Sequence, residues 1–150
     1  MKETVSIFWF RRDLRLDDNV GLYQALTSEH PTLPIFIFDK EILGQLPKKD
    51  SRVSFIHEKI QFLHQKLATD FGSGLAQFHD TPKPVFEKLI QTYDVKAVFT
   101  NHDYEPYAQE RDKHIKDLLE KSNIAFKTFK DQVIFEKNEV VKDDGNPYVV

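Results

Sequence analysis

Five short apolar runs alternate with longer segments whose apolar residues recur every three or four positions. The runs occupy residues 5–10, 35–38, 75–78, 95–100 and 124–129. Their length and their content of β-branched and aromatic residues predict strands. Ile35-Phe36-Ile37-Phe38 is apolar on both faces, the pattern of a central parallel strand covered on each side by helices. Between the runs, Val20, Leu22, Ala25 and Leu26 mark a first helix, with Asp17, Asp18 and Asn19 as N-cap candidates. Val53, Ile56, Ile60, Leu63, Leu67 and Phe71 mark a second helix, capped by Asp50 or Ser51 and ended by Gly72-Ser73-Gly74. On that helix His57 and His64 fall off the stripe and are expected to face solvent. Thr81-Pro82 opens a third helix through Val85, Phe86, Leu89, Ile90 and Tyr93. A fourth runs from about Pro106 through Ile115, Leu118 and Leu119 to Asn123. Strict alternation of strand and helix predicts a doubly wound, five-stranded, Rossmann-like parallel sheet of order 3-2-1-4-5 in a three-layer α/β/α arrangement.

The pattern changes after residue 130. A short apolar run at Val133-Ile134-Phe135 is followed by Val140-Val141, the turn Asp143-Asp144-Gly145-Asn146-Pro147, and Tyr148-Val149-Val150. This reads as a hairpin. Residues 1–130 are therefore expected to form the α/β domain. Residues 131–150 are expected to be a hairpin-like extension leading into a linker, because the sequence stops on apolar valines as a fragment of a longer protein would.

Composition narrows the classes. With 40% hydrophobic and 30% charged residues the chain is globular, and no apolar run approaches the ~20 residues of a membrane span. The absence of cysteine removes disulfide and thiolate chemistry and fits a cytoplasmic protein. A net charge of −3 gives no overall basic footprint for nucleic acid. The turn after the first strand, Arg11 to Asp18, contains no glycine, so neither a dinucleotide fingerprint nor a P-loop is present. The histidines do not cluster at metal-ligand spacing, and His102 beside Asp103 is a weak catalytic pair.

What remains is a set of polar residues that the predicted topology brings to one sheet edge: Arg11, Arg12, Asp39, Arg52, Asn101, Asp103 and Glu105. In a 3-2-1-4-5 sheet the loops after strands one and four flank the switch-point crevice, where ligands bind. Mixed charges there suit a polar, conjugated ring held by side chains. They equally suit an ion-pair network that closes the edge.

The residues Trp9-Phe10-Arg11-Arg12-Asp13-Leu14-Arg15-Leu16, followed by Asp18-Asn19, closely resemble the opening of the DNA photolyase/cryptochrome family. Phe38-Asp39 with Ile42-Leu43, Ser51-Arg52-Val53, the block from Asn101 through Asp103-Tyr104-Glu105-Pro106-Tyr107 to Arg111-Asp112, and Gly145-Asn146-Pro147-Tyr148 extend the resemblance over the whole chain. The resemblance implies an N-terminal antenna domain whose parent carries FAD and the damaged DNA in a larger, helical C-terminal domain. In that family blue light, often gathered by the antenna chromophore, excites reduced FAD, which splits cyclobutane pyrimidine dimers. Cryptochromes share the architecture and signal instead. Folate-type members carry an Asn-Glu pair where this chain has Tyr107-Ala108. Asp39, Arg52 and Asp103 match positions that surround flavin or deazaflavin antennas. The resemblance thus implies a deoxyribodipyrimidine photolyase, with deazaflavin or flavin favoured over folate, and a 150-residue chain that is monomeric and inactive alone. A blue-light photoreceptor or a stand-alone nucleotide-binding module are the alternatives.

Overall fold

The computed structural model describes residues 1–134, 139 and 141–146. Among them β1 (Thr4–Phe10), β2 (Thr32–Phe38), β3 (Ala76–His79), β4 (Asp94–Asn101) and β5 (Ala125–Phe129) form one sheet. All four pairings are parallel and the order is β3-β2-β1-β4-β5, as the sequence pattern predicts. The helices are α1 (Val20–Leu26), α2 (Lys40–Gly44), α3 (Ser51–Phe71), α4 (Pro82–Thr92) and α5 (Pro106–Lys121).

Strand β1 is buried on both faces because its side chains alternate between two cores. Val5, Ile7 and Trp9 pack with Val85, Phe86 and Leu89 of α4 and with Ile115 and Leu119 of α5. Phe8 and Phe10 point the other way, among Leu22 and Ala25 of α1 and Ile60 and Leu63 of α3. Edge-to-face contacts fix the aromatic packing, Trp9 with Phe86 at 5.1 Å and Phe8 with Phe10 at 4.6 Å between centroids. A sheet fastened this tightly at its centre gives the loops that leave β1 and β4 a rigid base.

The caps follow side-chain chemistry. Asn19 accepts from the Leu22 amide at the start of α1, and Asp50 accepts from the Arg52 amide at the start of α3. Gly72 adopts the left-handed conformation that closes α3, with φ of 61°.

Four details depart from the sequence pattern. Helix α2 is a single short turn, too brief for a period to register, where the sequence pattern predicts no element. Strand β2 begins at Thr32, ahead of the apolar run at 35–38, and so takes in Pro34. The proline is tolerated because β3 begins opposite Ile35, so no third strand needs a donor beside Pro34. Phe71 is 67% exposed, so the buried stripe of α3 ends at Leu67. His64 is exposed, yet its Nδ1 accepts from the Leu75 amide at 3.1 Å, pinning the turn into β3. The Asp-Gly turn forms, with Gly145 at φ 79° and the Lys142 amide bonded to the Asn146 carbonyl. Residues 135, 140 and 147–150, which the predicted hairpin also needs, lie outside the described residues.

Candidate functional site

The carboxyl ends of β1, β2 and β4 surround a cavity of about 330 Å³. This size falls at the small end of the range of small-molecule sites. Its wall is apolar: Phe36 and Phe38 of β2, Ile42 and Leu43 of α2, Leu46 beyond it, and Val53 and Ile56 of α3. The opposite side is polar, built from Arg11, Arg12, Asp103, Glu105, Tyr107 and Arg111 around Trp9. A flat ring with polar edges matches such a two-sided lining.

Six of the seven edge residues expected from sequence line this cavity: Arg11, Arg12, Asp39, Arg52, Asp103 and Glu105. Asn101 does not. It lies beneath the loop, where its Oδ1 accepts from the Gly21 amide at 2.8 Å. Its Nδ2 donates to Asn19 Oδ1 at 2.8 Å and to Asp13 Oδ2 at 2.5 Å. Its role is to tie β4 to the β1 loop and to the start of α1. Arg11 completes the tie by donating to the Asn101 carbonyl and pairing with Asp112 at 2.5 Å. Burial pushes the Arg11 guanidinium below its ordinary pKa, and the neighbouring Asp112 carboxylate opposes that shift.

Asp39 caps α2 with one oxygen, accepting from the Glu41 amide at 3.0 Å. Its other oxygen accepts from the Tyr107 hydroxyl at 2.7 Å. This bond joins α2 to α5 at the cavity. Burial first, and then the bond to the Asp39 carboxylate, push the Tyr107 phenol well above its usual pKa, so it stays a donor. Arg52 is mostly exposed and is held by Asp50, which accepts from its Nε at 2.9 Å and its Nη2 at 2.5 Å. That bond holds the Asp50 carboxyl down at about 2. Arg12 is half-exposed and pairs with Glu105 at 2.5 Å.

With Arg11, whose side chain is 6% exposed, Arg111 and Asp103 are the buried charges of the polar side, each with a side chain only 8% exposed. Arg111 lies over Trp9 at 4.9 Å and near Tyr107 at 5.9 Å, within cation–π reach of both rings. Its Nε bonds Asp112 at 3.2 Å, while its Nη2 is buried with no hydrogen-bond partner. Tyr107 and Arg111 are absent from the set expected on charge and edge position. A usable signal exists in the sequence: Ala108, Arg111 and Ile115 share one helix face at spacings of three and four. An arginine on the buried face of α5 needs a partner inside the fold.

Nε2 of the His102 ring bonds Thr128 Oγ1 at 2.9 Å, which ties the start of the loop after β4 to β5. Among the described residues no group of histidine and acidic side chains could hold a metal ion. No helix among them is long and apolar enough to cross a membrane.

Residues 6–150 match the family model described as DNA photolyase. A deoxyribodipyrimidine photo-lyase of Synechococcus sp. is 32% identical over 96% of this chain and 30% of its own length. The chain thus spans about a third of the curated photolyases it matches, and cryptochromes of Drosophila and Arabidopsis also match. A crystal structure of a class III photolyase from Agrobacterium tumefaciens superposes with a TM-score of 0.86 at 27% identity, covering 100% of this chain and 30% of that one. An archaeal photolyase from Sulfolobus tokodaii, described with two FAD molecules and a novel light-harvesting cofactor, gives 0.82 at 33% identity over 91% of this chain and 32% of its own. The shared five-stranded fold, the family match and these identities place one conclusion beyond the individual likenesses: the chain belongs to the DNA photolyase family, over its N-terminal α/β domain.

Proposed function

We propose that this chain is the antenna-chromophore domain of a deoxyribodipyrimidine photolyase, and that the cavity beside Trp9 holds the chromophore. The carrying observation is the two-sided cavity itself, apolar on the α2–α3 wall and polar on the α5 side, at the topological switch point of a photolyase-family domain. The unpartnered Nη2 of Arg111 suits a group that brings its own acceptor. A flavin or deazaflavin is favoured over a folate. The likeness to the Sulfolobus photolyase with two FAD molecules supports a flavin-like ring, and Tyr107 closes the α5 side with a bulky aromatic.

When bound, the chromophore would gather light and pass excitation to FAD. Residues of this chain would hold and orient it. Trp9 and Arg111 offer stacking surfaces, Asp39 and Asp103 offer acceptors, and Ile42, Leu43 and Leu46 exclude water from one face. FAD and damaged DNA would be bound by the rest of a longer parent, with residues 1–130 as the antenna domain and 131–150 leading toward it. The net charge of −3 agrees with a domain that does not itself grip DNA. The setting is cytoplasmic and the isolated chain monomeric.

Fluorescence titration of the chain with FMN, a deazaflavin and a reduced folate tests the proposal. Flavin or deazaflavin should bind, and Asp39→Ala and Asp103→Ala should weaken them. Binding of the folate alone, or variants with unchanged flavin and deazaflavin affinity, would overturn it. A parent that signals as a photoreceptor instead would keep this pocket and fail to split pyrimidine dimers under blue light.

A further inference from the structure

On the polar side of the cavity two neighbouring groups, Asp103 and Arg111, have hydrogen bonds left to make. Asp103 has a side chain 8% exposed, and its Oδ1 accepts one long bond, 3.4 Å from the Glu105 amide. Its Oδ2 lies 3.7 Å from Arg12 Nε and 3.7 Å from Arg111 Nη2, beyond hydrogen-bond range of both. Arg111 Nη2 in turn has no hydrogen-bond partner. A carboxylate oxygen of the cavity lining that makes no hydrogen bond and a buried guanidinium N–H without a partner thus stand 3.7 Å apart, an acceptor and a donor that do not satisfy each other. Groups left in that condition are unfavourable unless something else pairs them.

The charges around them are already matched. Arg11 is paired with Asp112, Arg12 with Glu105, and Arg111 with Asp112 and Asp103. A phosphate or carboxylate would upset that balance and approach the Asp103 carboxylate. A neutral edge carrying one acceptor and one adjacent donor would complete both groups. Arg111 is held over Trp9 at 4.9 Å and bonded to Asp112 through Nε, so the donor it presents at the cavity is fixed in place for the edge of a flat ring.

We propose that Asp103 and Arg111 together read the lactam edge (–CO–NH–) of a fused heteroaromatic ring, the N–H donating to Asp103 and the carbonyl accepting from Arg111. The inference rests on the reading that the cavity holds a chromophore, and it adds which edge of the ring enters. Any ribityl or phosphate tail then points away from the buried pair, toward the rim that Arg12, Glu105 and Arg52 form.

The test compares riboflavin with N3-methylriboflavin, whose methyl group removes the lactam donor and leaves the protein untouched. Each is titrated into the 150-residue chain by fluorescence. Riboflavin should bind about tenfold or more tighter than its methyl derivative, because a site built to pair a donor rejects the analogue that lacks it. In Asp103→Asn and Arg111→Lys, checked for native circular dichroism, that preference should shrink several-fold. Equal affinity of the two flavins for the parent chain would overturn the lactam assignment while leaving the chromophore site standing. Binding of neither flavin, with a reduced folate and a deazaflavin also failing, would overturn both readings.

Discussion

Glycine-to-alanine exchange within a helix normally stabilises a protein by about 0.5–1 kcal/mol, because glycine gives up more backbone freedom on folding. Gly21, in the first turn of α1, should reverse that sign. A Cβ placed there would lie 2.6 Å from Asn101 Oδ1 and 3.0 Å from an edge carbon of the Phe8 ring. The first distance is shorter than any tolerable contact, and Phe8 has no room to retreat because it is fully buried. The Asn101 amide must therefore move. Moving it breaks the bond from the Gly21 amide and disturbs those to Asn19 and Asp13, all of them buried. A buried polar group left unpaired costs roughly 1–3 kcal/mol, and overpacking roughly as much again. Set against the backbone gain, Gly21→Ala should destabilise the domain by about 2–4 kcal/mol, lowering Tm by roughly 5–15 °C for a domain of this size. Urea denaturation followed by circular dichroism measures it. Asn101→Ala removes the clashing amide, so the double variant should be less unstable than the two single losses added together. A Gly21→Ala chain as stable as the parent, or strictly additive losses, would refute the reasoning.

Leu63→Ala should cost roughly 2–5 kcal/mol in the same assay, since Leu63 is 2% exposed between α3 and the sheet. A loss of a few tenths would mean that this face of the sheet is not packed as described. Asp50 supplies a pH dependence. Its folded carboxyl is lowered from 3.8 to about 2, chiefly by the hydrogen bond from Arg52. The stabilisation is therefore complete above the unfolded value near 4 and is lost as pH falls toward 2. The gap in stability between the parent and Asp50→Asn should narrow over that window, and a gap constant from pH 5 to 2 would contradict the assignment. The 150-residue chain is expected not to split thymine dimers under blue light, because it spans only about 30% of the photolyases it matches. Light-dependent repair by the purified chain would show that the chemistry lies within these residues.

The fold was readable because its signals are long-range regularities. Strands apolar on both faces and helices with clean stripes leave few topologies, and the right-handed crossover rule removes most of the remainder. The edge charges were readable from topology alone, since each follows the carboxyl end of a strand or opens the helix that comes next. What was not readable depends on short segments and on depth. Helix α2 makes barely one turn, so nothing periodic announces it, yet Ile42 and Leu43 supply part of the apolar wall. Asn101 carries the same edge position as Asp103, two residues on. Asn101 is still part of β4, on the face of Phe99, so its side chain goes under the loop into the Gly21 contact, whereas Asp103 lies beyond the strand end at the cavity.

Trp9 explains why the buried arginines belong to the site. Arg11 lies 5.1 Å from the indole centroid and Arg111 lies 4.9 Å from it, so two guanidiniums share one buried aromatic. Like charges brought this close repel, and the lowering of the Arg11 pKa includes Arg111 among its causes. Asp112 offsets the repulsion by bonding Arg11 Nη1 at 2.5 Å and Arg111 Nε at 3.2 Å. One carboxylate cannot saturate two guanidiniums, which together carry ten N–H donors. Arg11 disposes of part of the excess on the Asn101 carbonyl. Arg111, on the cavity side, has no comparable acceptor, and its Nη2 is left over. The unpaired donor is thus a consequence of placing two arginines on one tryptophan at the end of a central strand. The cavity it borders is where a ligand acceptor can complete it.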